Sequence, residues 1–88
     1  MTRLWPAGQP IVVETRNDSG SEQVPSQFTW QGRSHLVTEI TKIWRVDMDW
    51  WRVRIWRAYF KISTDTGLLV VVYRDLMSEE WFLQRLYD

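Results

Sequence analysis

The sequence predicts an all-β domain, a small antiparallel meander of five to six strands curled into an SH3-like or partly open barrel. Three observations predict it. β-Branched and aromatic residues gather in short runs, turn-forming dipeptides separate the runs, and no stretch carries the 3.6-residue apolar stripe of a packed helix.

Taken in order, residues 1–10 hold Pro6, Gly8 and Pro10 and read as an irregular arm docked by Trp5. Ile11–Arg16 is rich in β-branched residues and reads as a first strand. Asn17-Asp18-Ser19-Gly20-Ser21 has turn chemistry, and the polar run through Pro25 to Gln27 continues as a loop. Phe28-Thr29-Trp30 alternates, and Gln31-Gly32 suits a type I′ hairpin. The returning strand, Ser34–Val46, is long enough to bend; Leu36, Ile40, Trp44 and Val46 share one parity, Val37 and Ile43 the other. Asp47-Met48-Asp49 reads as a turn, and Trp50–Ile55 as a loop or distorted strand. From there Trp56, Ala58, Phe60 and Ile62 fall on one face, with Arg57, Tyr59, Lys61 and Ser63 on the other. Asp65-Thr66-Gly67 turns the chain into Leu68–Tyr73, which is apolar on both faces and predicts a strand covered on both sides. Arg74–Glu80 is a polar connection with a helical turn begun at Asp75, and Trp81–Tyr87 is the last strand. The chain thus divides into an arm, first strand and polar loop (1–24) and a main β region (25–88) of a single domain.

Bulk composition narrows the function classes. Seven Trp in 88 residues exceed what so small a core hides, so one or two should reach the surface. The absence of Cys excludes disulfides, thiolate metal sites and cysteine nucleophiles. Eleven basic side chains balance eleven acidic ones, which argues against strong nucleic-acid binding driven by net charge. No stretch approaches the roughly 20 apolar residues of a membrane helix, and the N-terminus is a poor secretory signal; a cytoplasmic setting is expected.

No catalytic constellation stands out. Ser34 and His35 are neighbours on a strand and point to opposite faces, so they cannot serve as nucleophile and base. Asp47 and Asp49 suit a turn and lack the ligand spacing of a calcium loop, and no phosphate loop or zinc spacing is present. The reading is therefore no enzyme and no cofactor. The informative stretch is 42–61, where Lys42, Arg45, Arg52, Arg54, Arg57 and Lys61 face only Asp47 and Asp49, interleaved with Trp44, Trp50, Trp51, Trp56 and Tyr59. Trp, Tyr and Arg are enriched at interface hot spots, and the same mixture serves single-stranded nucleic acid through stacking and phosphate contacts. The candidate binding residues are Arg45, Trp50, Trp51, Arg52, Arg54, Arg57, Tyr59 and Arg74. A protein partner is the first expectation, weak nucleic-acid binding the second, and a homodimer through an open barrel edge remains available.

The run Phe28-Thr29-Trp30-Gln31-Gly32-Arg33, then Trp44-Arg45-Val46, Trp50-Trp51, Trp56-Arg57, Tyr59-Phe60, Thr64–Gly67, Tyr73-Arg74-Asp75 and the ending Trp81–Asp88 resembles a small bacterial family of uncharacterised domains. The resemblance covers about residues 25–88. Members are found beside, or fused to, ImuB-like relatives of Y-family translesion DNA polymerases. What this implies is an accessory role in DNA-damage tolerance, with a DNA polymerase relative as partner; it implies no reaction and no catalytic residue.

Overall fold

The computed structural model describes residues 2–18, 22–50 and 53–87, and for Asp18, Glu22, Trp50 and Val53 the backbone alone. Six strands follow one another: β1 (Arg3–Asp18), β2 (Glu22–Trp30), β3 (Arg33–Trp50), β4 (Val53–Thr64), β5 (Leu69–Asp75) and β6 (Trp81–Tyr87). Each pairs antiparallel with its neighbours in sequence, and β1 also pairs with β6, so the sheet closes into a ring. The all-β antiparallel meander of six strands is as expected, and of the two forms expected for it, SH3-like or partly open, the ring is closed.

β1 makes the closure. The stretch expected to be an irregular arm is strand, pairing Arg3–Leu4 and Gln9–Ile11 with β6. The register shifts between Leu4 and Gln9, which takes Pro6 and Gly8 out of the ladder. Of the expected turn and polar loop, Asn17 and Asp18 end β1, Glu22 to Gln27 belong to β2, and Ser19, Gly20 and Ser21 lie outside the described residues. Pro25 of β2 sits beside a register shift opposite Glu14 and Thr15, the kind of irregularity where a missing N–H is tolerated. At that shift Ser26 Oγ donates to the Glu14 carbonyl at 3.0 Å.

The interior is filled by Val24, Phe28, Phe60, Ile62, Val70, Val72 and Leu83, all essentially buried. Each large apolar side chain buried this way contributes about 1.5–3 kcal/mol. Rings close both ends: Trp5 meets Trp30 edge-on at 6.0 Å, and Trp81 packs on Phe60 at 5.5 Å. β5 is covered on both faces, as its sequence predicts, with Val71 and Tyr73 buried on the outside.

β3 departs most from expectation. Register shifts between Val37 and Glu39 and between Ile40 and Lys42 bend it. The hydroxyls of Thr38 and Thr41 donate to the carbonyls of Ser63 (3.2 Å) and Lys61 (3.0 Å). The second shift reverses the face, so Ile40 packs inside beside Ile62 while Trp44 lies outside on Tyr59. Leu36, Ile40, Trp44 and Val46 therefore do not share a face. Nor is Asp47–Asp49 a turn: Lys42 to Trp50 pairs without interruption with Val53 to Lys61. Local turn propensity yields to cross-strand contacts there, including an Asp47–Arg54 ion pair at 3.3 Å.

Neighbouring strands stop early on both sides of this hairpin. β2 pairs with β3 only as far as Leu36, and β5 with β4 only as far as Arg57. Residues 47–50 and 53–56 thus project as a two-stranded arm, and among the described residues β3 beyond Leu36 has β4 as its single strand neighbour.

Candidate functional site

Rows of paired residues across β3–β6 build the outer face. One row is a four-ring ladder. Trp44 stacks on Tyr59 at 5.2 Å with planes 7° apart, Tyr59 meets Tyr73 at 5.2 Å with planes tilted by 38°, and Tyr73 stacks on Phe82 at 5.1 Å. β1 covers its far end, where Gly8 leaves room for the Tyr73 ring and Tyr73 Oη donates to the Ala7 carbonyl at 3.3 Å. An outward face is seldom this dry; Tyr59 and Tyr73 are 7% and 2% exposed.

Cations lie over these rings. The Arg57 guanidinium sits 4.5 Å from the Tyr73 centroid, and its Nη1 donates to Tyr59 Oη at 3.2 Å. Burial works against the Arg57 charge, but the Tyr59 hydrogen bond and the nearby Tyr59, Tyr73 and Asp75 outweigh it and hold its pKa above the ordinary value. Burial pushes the Tyr73 phenol up, and Arg57 offsets part of that rise. The adjacent row places Lys42 directly opposite Lys61, and Val71 opposite Arg85. Lys42 lies 5.3 Å from the Trp44 ring, and Lys61 and Arg85 both reach the Tyr87 ring, at 4.9 and 5.6 Å. Three cations on one row, each on an aromatic face, make a positive stripe.

The structure separates the predicted residues into groups. Arg57 and Tyr59 belong to the outer face, with Tyr59 covered rather than presented. Arg54 is on the arm, paired with Asp47 and 5.0 Å from the Trp56 ring. Arg45 and Arg74 face the other way. They flank Ala58 in register and line a cleft of about 320 Å³ with Asn17, Gln23, Phe60 and Leu76. The Trp50 backbone ends β3, while Trp51 and Arg52 lie outside the described residues.

Other surface residues escaped the sequence reading. Met48 (50% exposed) and Ile43 (43%) stand along β3, and Trp56 (37%), on the parity of Ala58 and Phe60, lies beyond the last β4–β5 pair, Arg57 with Asp75. Lys61, Arg85 and Tyr87 had the signal of strand parity, but their convergence depends on the β4–β5–β6 register.

His35 is buried, stacked on Phe28 at 5.1 Å, and its Nδ1 lies 2.6 Å from Thr66 Oγ1. Ser34 is exposed and bonded to Gln27, so the two neighbours do occupy opposite faces. Among the described residues no group of three or more His, Asp or Glu converges as a metal site, and no helix is long and apolar enough to cross a membrane.

Comparison with known proteins agrees with the resemblance in the sequence and extends it toward the N-terminus. A family model described as "Domain of unknown function (DUF6504)" matches residues 6–88, so the match takes in β1, which closes the ring. Protein ImuB from two strains of Caulobacter vibrioides is 29% identical over 77 residues, covering 72% of this chain. The matched stretch is 17% of the length of those relatives. No solved structure matches the chain. The chain belongs to the DUF6504 family.

Proposed function

We propose that the domain is a non-catalytic protein-docking module acting in DNA-damage tolerance, and that it docks through the β3–β4 arm and the outer face beside it. One observation carries this reading: among the described residues β3 beyond Leu36 pairs with β4 alone, exposed Ile43 and Met48 stand along that open edge, and exposed Trp56 lies across from Asp47 on β4. An open edge offers main-chain hydrogen bonds to an extended segment, and exposed apolar side chains supply pockets and anchors. Trp50 ends β3, Trp51 and Arg52 fall between β3 and β4 in sequence, and the side chains of all three lie outside the described residues. The similarity to Protein ImuB supports the damage-tolerance setting and a larger polymerase-related protein as partner. The match to a small part of that protein suits a module carried in or beside a longer chain.

The test uses purified components: the immobilised domain against an ImuB-type protein and the proteins that assemble with it. Binding that persists at high salt and is lost in Met48→Asp and Trp56→Ala supports the reading. Binding unchanged in both variants, or absent for every component, overturns it.

The Lys42–Lys61–Arg85 row favours a second reading, contact with nucleic-acid phosphates. Tyr59 and Tyr73 are covered, so of the four ladder rings Trp44 and Phe82 alone are partly exposed to a base. Tryptophan fluorescence during titration with a single-stranded oligonucleotide tests it. Quenching that disappears with salt is the expected signature, and a flat trace at low salt removes it.

A further inference from the structure

The cleft on the inner side of the sheet is a separate feature. Arg45, Ala58 and Arg74 are consecutive partners across β3, β4 and β5, and the Ala58 methyl leaves space between two long side chains. Arg74 is largely covered. Its Nε is buried and has no hydrogen-bond partner, while its Nη2 lies 3.4 Å from Glu79 Oε1. A charged donor left unmet in this way is costly and uncommon in folded proteins. Glu79 belongs to the turn after β5, is 74% exposed, and has φ of 64°, which few residues other than glycine adopt.

Nε and Nη2 form the side-on fork of a guanidinium, the edge that takes both oxygens of one carboxylate. Glu79 meets only one prong. We infer that the cleft receives the carboxylate of an acidic side chain from a partner protein, bound side-on by Nε and Nη2 of Arg74 in the place that Glu79 holds. This rests on the docking reading and adds its chemical determinant. Displacement of Glu79 opens Nε to the incoming group, and Asn17 and Gln23 complete the lining. The walls Ala58, Phe60 and Leu76 are apolar. A volume of about 320 Å³ suits a side chain with methylenes and one charge better than a phosphodiester with its flanking sugars.

The test follows the Arg74 Nε–H resonance of the whole domain by NMR. The probes are a terminally blocked Ala-Glu-Ala peptide, its Gln counterpart, inorganic phosphate and a short single-stranded oligonucleotide. The expected result is a saturable shift with the Glu peptide and none with the Gln peptide. Followed on the backbone amides that line the cleft, Arg74→Gln should weaken binding by about tenfold or more, and Arg74→Lys, which keeps the charge without the fork, should also weaken it. Glu79→Gln should tighten binding about two- to fivefold by removing the competing carboxylate. Three results overturn the inference: no saturation with the Glu peptide, weaker binding in Glu79→Gln, or a shift with phosphate or oligonucleotide alone. Because Met48 and Trp56 lie outside the cleft, the arm assay distinguishes failure of this site from failure of the docking reading.

Discussion

Lys42 on β3 and Lys61 on β4 are direct cross-strand partners with no ion pair to a carboxylate among the described residues, and each ammonium rests on an aromatic ring instead. Like charges placed opposite each other destabilise a sheet. A double-mutant cycle with Lys42→Met and Lys61→Met should therefore give a repulsive coupling of about 0.2–1 kcal/mol at low salt. The coupling should shrink as salt rises. Urea unfolding of the four proteins measures it, and an attractive coupling would refute the prediction.

Gly8 is required by what it touches. A Cβ there would come within 2.5 Å of Tyr73 Oη and 2.8 Å of Phe82 Cβ, at a φ of 79°. Gly8→Ala should cost about 2 kcal/mol or more, from backbone strain and displacement of the covering segment. Thermal unfolding reads the loss, and an unchanged midpoint would show that β1 does not lie tightly on the ladder.

Tyr73 sets an alkaline limit. Burial raises its pKa in the fold, so the folded state keeps a proton that the unfolded chain releases near pH 10. Its contribution is complete below the unfolded value and is lost as pH rises through the folded one. Stability followed from pH 8 to 11 should fall above about pH 10. In Tyr73→Phe the fall should be shallower, and its stability at pH 7 should be within about 1 kcal/mol of the parent, through loss of the bond to Ala7.

The arm should separate binding from folding. Met48 is half exposed, so Met48→Ser should change stability by no more than about 0.5 kcal/mol. Partner affinity should nevertheless drop by about tenfold if Met48 anchors the contact. Calorimetry and binding measured on the same preparation decide between them.

Local pattern was enough for the elements whose partners are close in sequence. Gln31-Gly32 forms its tight turn with φ values of 52° and 72°, and Gly67 turns at 86° as its place after Asp65-Thr66 required. The alternation from Trp56 to Ile62 and the double-sided apolar run into Tyr73 gave β4 and β5 their faces. Long-range pairing was hidden. Nothing near Pro6 or Gly8 says that this stretch meets β6 and Tyr73, and that meeting turns an open meander into a ring. The bends of β3 depend on Thr38 and Thr41 reaching carbonyls 25 and 20 residues away, so the reversal between Ile40 and Trp44 could not be read from parity. The same limit applies to the site: Arg57 and Tyr59 were legible as one face, but the burial of Tyr59 is supplied by other strands.

Pairing of Arg3 with Leu86 puts the first and last strands side by side, at the opposite end of β4 from the arm. The order in which the ring is threaded is therefore separable from its shape. A circular permutant, joined by a short linker between the present ends and opened at Thr66-Gly67, should keep the same sheet. Inserted by its adjacent ends into a host loop, the domain would hang as a pendant with its arm pointing away from the host.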